Sequence, residues 1–164
     1  MKYLLWLTLP LYALDQWTKW LIVQNFQLGD FRPVIPGFFN LVRVHNTGMA
    51  FGTGNGGEHS NLIFTTIATV AMVVITFIWR RGGFPLVMQK VAAALLVSGI
   101  AGNVTDRLLP GRGYVVDFLD FYIGQAHWPS FNVADSCICV AAVLLFWGSI
   151  RTERILAGKA SSPE

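Results

Sequence analysis

Phe131-Asn132-Val133-Ala134-Asp135-Ser136 opens the last long apolar run of the chain, Val133 to Ile150. Its acid therefore stands at the threshold of a segment long enough to be a membrane helix. A low-dielectric neighbourhood disfavours an ionised carboxylate, so an acid in that place calls for a partner or a task. Eighteen residues earlier Asp117 sits in the equally apolar stretch from Tyr114 to Tyr122. Two carboxylates held near each other beside lipid point to acid/base chemistry, and the rest of the chain reads as the frame that holds them.

Outward from that stretch, composition favours a membrane protein. The 164 residues are 54% hydrophobic and 13% charged, with a mean hydropathy of +0.52. A soluble domain carries about 25% charged residues. The length fits one domain, residues 1–164. Four segments are apolar enough to span a bilayer, at about 3–23, 61–79, 87–109 and 133–150, which predicts an all-α, four-transmembrane-helix bundle. Lys2 and the apolar stretch after it resemble a secretory signal. Asp15, Trp17 and Lys19 follow without a small-x-small cleavage pattern, so a retained first helix is expected. Cys137 and Cys139, two apart on a helix, point to nearly opposite faces and read as apolar helix residues.

The connections differ in kind. Residues 80–86 form a short basic turn with Gly82, Gly83 and Pro85, whereas loops 24–60 and 110–132 are long and rich in Gly, Pro and aromatics. Four spans put both termini on the side of the short turn. That side holds seven basic residues (Lys2, Arg80, Arg81, Lys90, Arg151, Arg154, Lys159) against Glu153 and Glu164. The other side holds five basic residues against seven acids. The excess of basic residues predicts cytoplasmic termini and places both long loops on the outer side of the membrane, in contact with membrane lipids. The segment Phe38 to His45 alternates weakly and is rich in β-formers, which predicts a small extracytoplasmic β-structure. The tip Gly52–Gly57 lacks the strand-to-helix context of a phosphate loop. Trp128, Tyr114 and Tyr122 suit an interfacial aromatic belt.

Polar residues inside the apolar frame fall into three groups. Asp15 and Lys19 are four apart on the first helix and read as a charge-neutralising, architectural pair, with Lys19 reaching toward the interface. Gly99, Gly102, Asn103, Asp106 and Arg107 share one stripe of the third segment. The glycines allow close helix approach, and Asp106 and Arg107 suit an end-of-helix ion pair. Asn103 and Arg107 together can grip peptide carbonyls. Asp117 and Asp135 have no basic partner within their own segments. Asp120 reads as an interface acid with a solvated head.

Five ordered blocks make the spacing recognisable: Asp15-Gln-Trp-Thr-Lys19, Asn46-Thr-Gly-Met-Ala-Phe51, Gly102-Asn-Val-Thr-Asp-Arg107, Val115-Val-Asp-Phe118 and Phe131-Asn-Val-Ala-Asp135. Through these blocks, essentially the whole chain resembles the bacterial lipoprotein signal peptidases (signal peptidase II), membrane aspartic peptidases that trim prolipoproteins. The resemblance implies that Asp117 and Asp135 are the catalytic aspartates and that Asn46 and Gly48 belong to the substrate cradle. It implies that Asn103, Arg107 and Asn132 position the scissile peptide and the acids, and that Asp15, Lys19 and Asp106 are structural. It further implies a prolipoprotein substrate cut before a diacylglyceryl-modified cysteine.

No metal or other cofactor is expected. His45, His59 and His127 lack ligand spacing such as HExxH, and no G-x-S-x-G elbow is present. A monomer is expected, with no nucleic-acid partner. The competing reading is a small proton- or ion-handling membrane protein, which predicts acids spread across the membrane depth; a non-enzymatic scaffold would need no polar stripe.

Overall fold

The computed structural model describes residues 4–48 and 59–160. Met49, Ala50, Phe51 and the tip Gly52–Gly57 lie outside the described residues, as do the first three residues. The helices are α1 (Leu9–Asn25), α2 (Ser60–Arg80), α3 (Val87–Leu108) and α4 (Val133–Ala160). The strands are β1 (Phe31–Ile35), β2 (Phe39–Asn46), β3 (Val115–Ile123) and β4 (Ala126–His127). Among the described residues three helices, at Ser60–Arg80, Val87–Leu108 and Val133–Ile155, are long and apolar enough to cross a membrane. The chain is an integral membrane protein built from such helices and a small antiparallel sheet.

α1 begins irregularly. Leu4–Thr8 form a π-helical turn, immediately before Pro10 in the first turn of α1. Proline donates no N–H and its ring crowds the carbonyl four residues back, so the preceding turn widens. Thr8 ties this turn to α3: its Oγ1 donates to Ala94 O at 2.9 Å, and Ser98 Oγ donates to Thr8 O at 3.2 Å.

α3 is the centre of the bundle and packs against each of the other three helices. Its small residues allow this. Ala92, Ala93 and Ala94 are fully buried, and a Cβ at Gly99 would run into the backbone carbonyl of Ala134 on α4. At Gly102 it would lie 2.5 Å from Asp15 Oδ2 and 3.1 Å from Ala134 Cβ. Gly99 therefore sets how closely the start of α4 approaches α3. Gly99→Ala is expected to destabilise the protein by about 1–3 kcal/mol, the usual penalty for overpacking against a backbone that cannot move aside. Thermal unfolding in detergent reads it; an unchanged transition would show that the helices can separate freely. α2 is the peripheral helix, with Leu62, Ile67, Val70, Val73 and Phe77 turned outward.

The four strands form one antiparallel sheet in the order β1-β2-β3-β4. β2, expected at 38–45, is observed one residue later. β3 falls in what reads from sequence as loop, and it is the strand that carries Asp117. Gly124, at φ +61°, occupies the two-residue turn from Ile123 to Ala126, where a left-handed backbone favours glycine. The sheet docks on the C-terminal end of α1 and the N-terminal end of α4 through Ile22, Phe26, Val116 and Phe118, with Leu41, Tyr114 and Val133 around them. Two arginines fasten it there. Arg43 Nη1 donates to Phe26 O at 2.8 Å and to Val23 O at 3.2 Å, and Arg32 Nη2 donates to Asn25 O at 2.8 Å. These carbonyls end α1 and have no helical partner of their own.

Candidate active site

The first turn of α4 is built around a reciprocal pair. Asp135 N–H donates to Asn132 Oδ1 at 2.9 Å, and Asn132 N–H donates to Asp135 Oδ2 at 3.1 Å. This is a capping box in which the acid three residues into the helix answers the capping side chain. Asp15 reaches across from α1 to accept the N–H of Ala134 at 2.9 Å, so a second carboxylate faces the positive end of α4.

Asn132 also joins the two acids. Its Nδ2 donates to Asp117 Oδ1 at 2.7 Å while its backbone N–H holds Asp135. β2 pairs with β3 so that Asn46 lies opposite Val115 and Val44 opposite Asp117. From there Asn46 Nδ2 donates to Asp117 Oδ2 at 3.0 Å. Asn103 Nδ2 donates to Asp135 Oδ1 at 2.8 Å. All four carboxylate oxygens thus accept an N–H from an asparagine. Asp117 is 2% exposed. Burial pushes its carboxyl up to about 7, the charge of Asp135 adds to this, and the amides of Asn46 and Asn132 and the charge of Lys19 pull against it.

Asn46 and Arg107 shape one rim. Asn46 Oδ1 accepts the N–H of Gly48 at 2.9 Å, and Arg107 Nη2 donates to Gly48 O at 2.7 Å. Arg107 lies 5.9 Å from the ring centroid of Phe64, and its buried Nε has no partner among the described residues. A guanidinium N–H left free beside two acids can receive a peptide carbonyl.

Beneath the acids lies a chain of charges. Lys19 Nζ contacts Asp15 Oδ2 at 2.9 Å and Asp106 Oδ2 at 3.1 Å, and donates to Asn103 Oδ1 at 2.9 Å. An ammonium has no acceptor, so the carbonyl side of Asn103 must face Lys19 and its NH2 side must face Asp135. Asp106 also accepts the N–H of Val116 at 3.2 Å and pairs with Arg112 at 2.8 Å.

Asp117, Asp135, Asn46, Asn103 and Asn132 therefore meet in one network, Gly48 and Arg107 border it, and Asp15, Lys19 and Asp106 support it from below. Three sequence expectations need correction. Lys19 does not reach toward the interface: it is 1% exposed, because three acceptors inside the bundle satisfy its three N–H groups. Asp106 does not pair with Arg107, whose side chain turns to Gly48 instead. Asp120 is not solvated. It is 5% exposed, and Asn40 Nδ2 at 2.9 Å and His127 Nδ1 at 2.8 Å bind its two oxygens. Sequence reasoning also missed Arg112. Its partner lies six residues back, a spacing that no helix or strand period selects, and only its place between Gly111 and Gly113 marked it.

Comparison with solved structures defines the class. Two structures of bacterial membrane enzymes superpose with TM-scores of 0.84 and 0.79, each at 28% identity. The first match covers 100% of this chain and 95% of the other; the second covers 89% and 91%. Sequence then gives the family. The family described as Signal peptidase (SPase) II matches residues 7–151. The lipoprotein signal peptidase of Alteromonas mediterranea is 43% identical over 142 residues, 86% of this chain and 76% of the relative. That of Cupriavidus taiwanensis is 43% identical over 155 residues, 92% and 85% of the two chains. The chain belongs to the signal peptidase II family and is thus an aspartic peptidase.

Proposed function

We propose that the protein removes signal peptides from prolipoproteins by cutting before a diacylglyceryl-modified cysteine, with Asp117 and Asp135 as its catalytic pair. The observation that carries this reading is Asn132, one residue hydrogen-bonded to both carboxylates at the threshold of an apolar helix. α1 makes a fourth span, the termini lie in the cytoplasm, and the sheet lies at the outer face of the cytoplasmic membrane. The excess of basic residues at the opposite end supports this orientation. A lipidated cysteine stays in the bilayer, so the acids must come to the membrane surface, where water also reaches them.

Two such carboxyls share a proton, since like charge and burial oppose a second ionisation. The ionised member takes a proton from water as the water attacks the scissile carbonyl. The protonated member donates to the carbonyl oxygen, and a proton then passes to the leaving amine as the C–N bond breaks. Asn46, Gly48, Arg107 and Asn132 hold the peptide and Asn103 holds Asp135. The pair titrates as a unit, so activity is bell-shaped in pH and falls once both members are ionised.

Cleavage of a diacylglyceryl-modified lipobox peptide beside its unlipidated twin tests the reading. The lipidated peptide is expected to react faster by roughly 100-fold or more, because binding of the remote lipid contributes to the transition state. Equal rates, or proton flux in vesicles without cleavage, would refute it.

A further inference from the structure

We propose that Arg112 is a positioning residue for the aspartate pair: its guanidinium holds Asp106 so that Lys19 stays on Asn103 and Asn103 stays on Asp135. The inference rests on the reading of Asp117 and Asp135 as the catalytic pair.

Three observations lead to it. First, Lys19 has three N–H donors, and Asp15, Asn103 and Asp106 use all of them. Second, Asp106 is fully buried and divides its oxygens: Oδ1 meets Arg112 at 2.8 Å, and Oδ2 meets Lys19 and the N–H of Val116. From Asp15 through Lys19 and Asp106 to Arg112 the charges alternate, so the layer beneath the pair is neutral. Third, Arg112 is the one member of these four that reaches the surface, with its side chain 21% exposed. The loop residues Gly111 (φ +76°) and Gly113 (φ +67°) place it, 6.0 Å from the ring centroid of Tyr114.

Without Arg112, Asp106 retains Lys19 as its one cation and draws the ammonium away from Asn103. The Asn103 amide is then free to turn, and a buried negative charge opposes ionisation of the pair. Among the described residues, the other charged groups facing this region are Arg107 on α3 and Arg43 and His45 on β2. Burial lowers the pKa of the His45 imidazole, and the charges of Arg43 and Arg112 lower it further. Loss of Arg112 would relax His45 as well, so the experiment must separate the two routes.

The test is the pH dependence of kcat in detergent micelles for cleavage of a diacylglyceryl-cysteine lipobox peptide. In R112Q both limbs of the profile are expected to move to higher pH by roughly half a unit, as for one charge about 10 Å away at an effective dielectric near 40. R112K keeps the wild-type midpoints. The double variant R112Q/D106N, which removes the uncompensated acid but leaves His45 relaxed, returns them. Unmoved limbs in R112Q, at whatever activity, would overturn the proposal, as would a shift that D106N does not reverse. If R112Q does not fold, R112H is the second variant: it keeps a cation beside Asp106 at low pH and loses it as the imidazole deprotonates. Its alkaline limb should therefore move more than its acid limb, and two unmoved limbs count against the proposal. D117N measured alongside separates the two claims. Cleavage by D117N removes the catalytic pair itself, whereas an inactive D117N with unmoved R112Q limbs removes only the role of Arg112.

Discussion

Asp117→Asn is expected to reduce cleavage by roughly 10³-fold, the range for loss of a positioned acid or base, and to change stability in a direction that depends on pH. The wild-type carboxyl is raised from 3.8 to about 7, so between those values the folded protein holds a proton that the unfolded chain releases. Wild-type stability therefore declines as pH rises through that window and stays reduced above about 7. Asparagine does not titrate and avoids that loss, which a three-unit shift limits to about 4 kcal/mol and proton sharing with Asp135 makes smaller. The substitution has its own cost. Asn46 and Asn132 each donate to one oxygen of Asp117, and an asparagine would turn its own NH2 toward one of them, a mismatch of about 1–2 kcal/mol. Below about pH 5 the variant should be the less stable protein and above about pH 7 the more stable one. Thermal unfolding in detergent across pH 4–8 reads the crossing. Near-normal cleavage would remove Asp117 from the catalytic pair, and parallel stability curves would deny its raised pKa.

The bundle was legible because membrane helices have only to be apolar and long, and α2, α3 and α4 are. β2 was legible because it is rich in β-formers that alternate weakly, although the face it buries carries the polar Asn40 beside Val42. β3 was not. Val115 to Phe118 are all buried, so its covered faces leave no alternation, only an apolar stretch interrupted by Asp117 that does not distinguish a strand from a loop at the interface. β1 is exposed throughout and contains Pro33, which an edge strand tolerates but which reads as a break. For the site, one residue type at each position was legible through the family blocks, whereas the wiring was not. Asp15 caps Ala134 from 119 positions away. Asp120 has the same apolar surroundings in sequence as Asp117, and what sets them apart is the partner that folding supplies: Asn40 and His127 for one, Asn46 and Asn132 for the other.

Lys19→Met is expected to give the largest loss of stability of any single substitution considered, about 3–5 kcal/mol, because it leaves Asp15 and Asp106 buried without their shared cation. Neither carboxylate can simply turn to water. Asp15 is held on the N–H of Ala134, and Asp106 on the N–H of Val116. Methionine fills most of the volume, so the loss is electrostatic rather than a cavity effect. Removing the stranded acids should restore most of the fold, since buried ions replaced by neutral groups are often no less stable. Arg112, the part-exposed member, can turn to water. The triple variant K19M/D15N/D106N is therefore expected to recover most of the unfolding temperature. It should not recover cleavage to the same extent. With no ammonium against its carbonyl, Asn103 is free to present either end to Asp135, and the amide that holds that acid is no longer fixed. Unfolding temperature and kcat measured on both variants thus divide the two duties of Lys19. A K19M protein as stable as wild type would deny the first duty. A triple variant restored in both stability and kcat would deny the second and leave Lys19 an architectural residue alone.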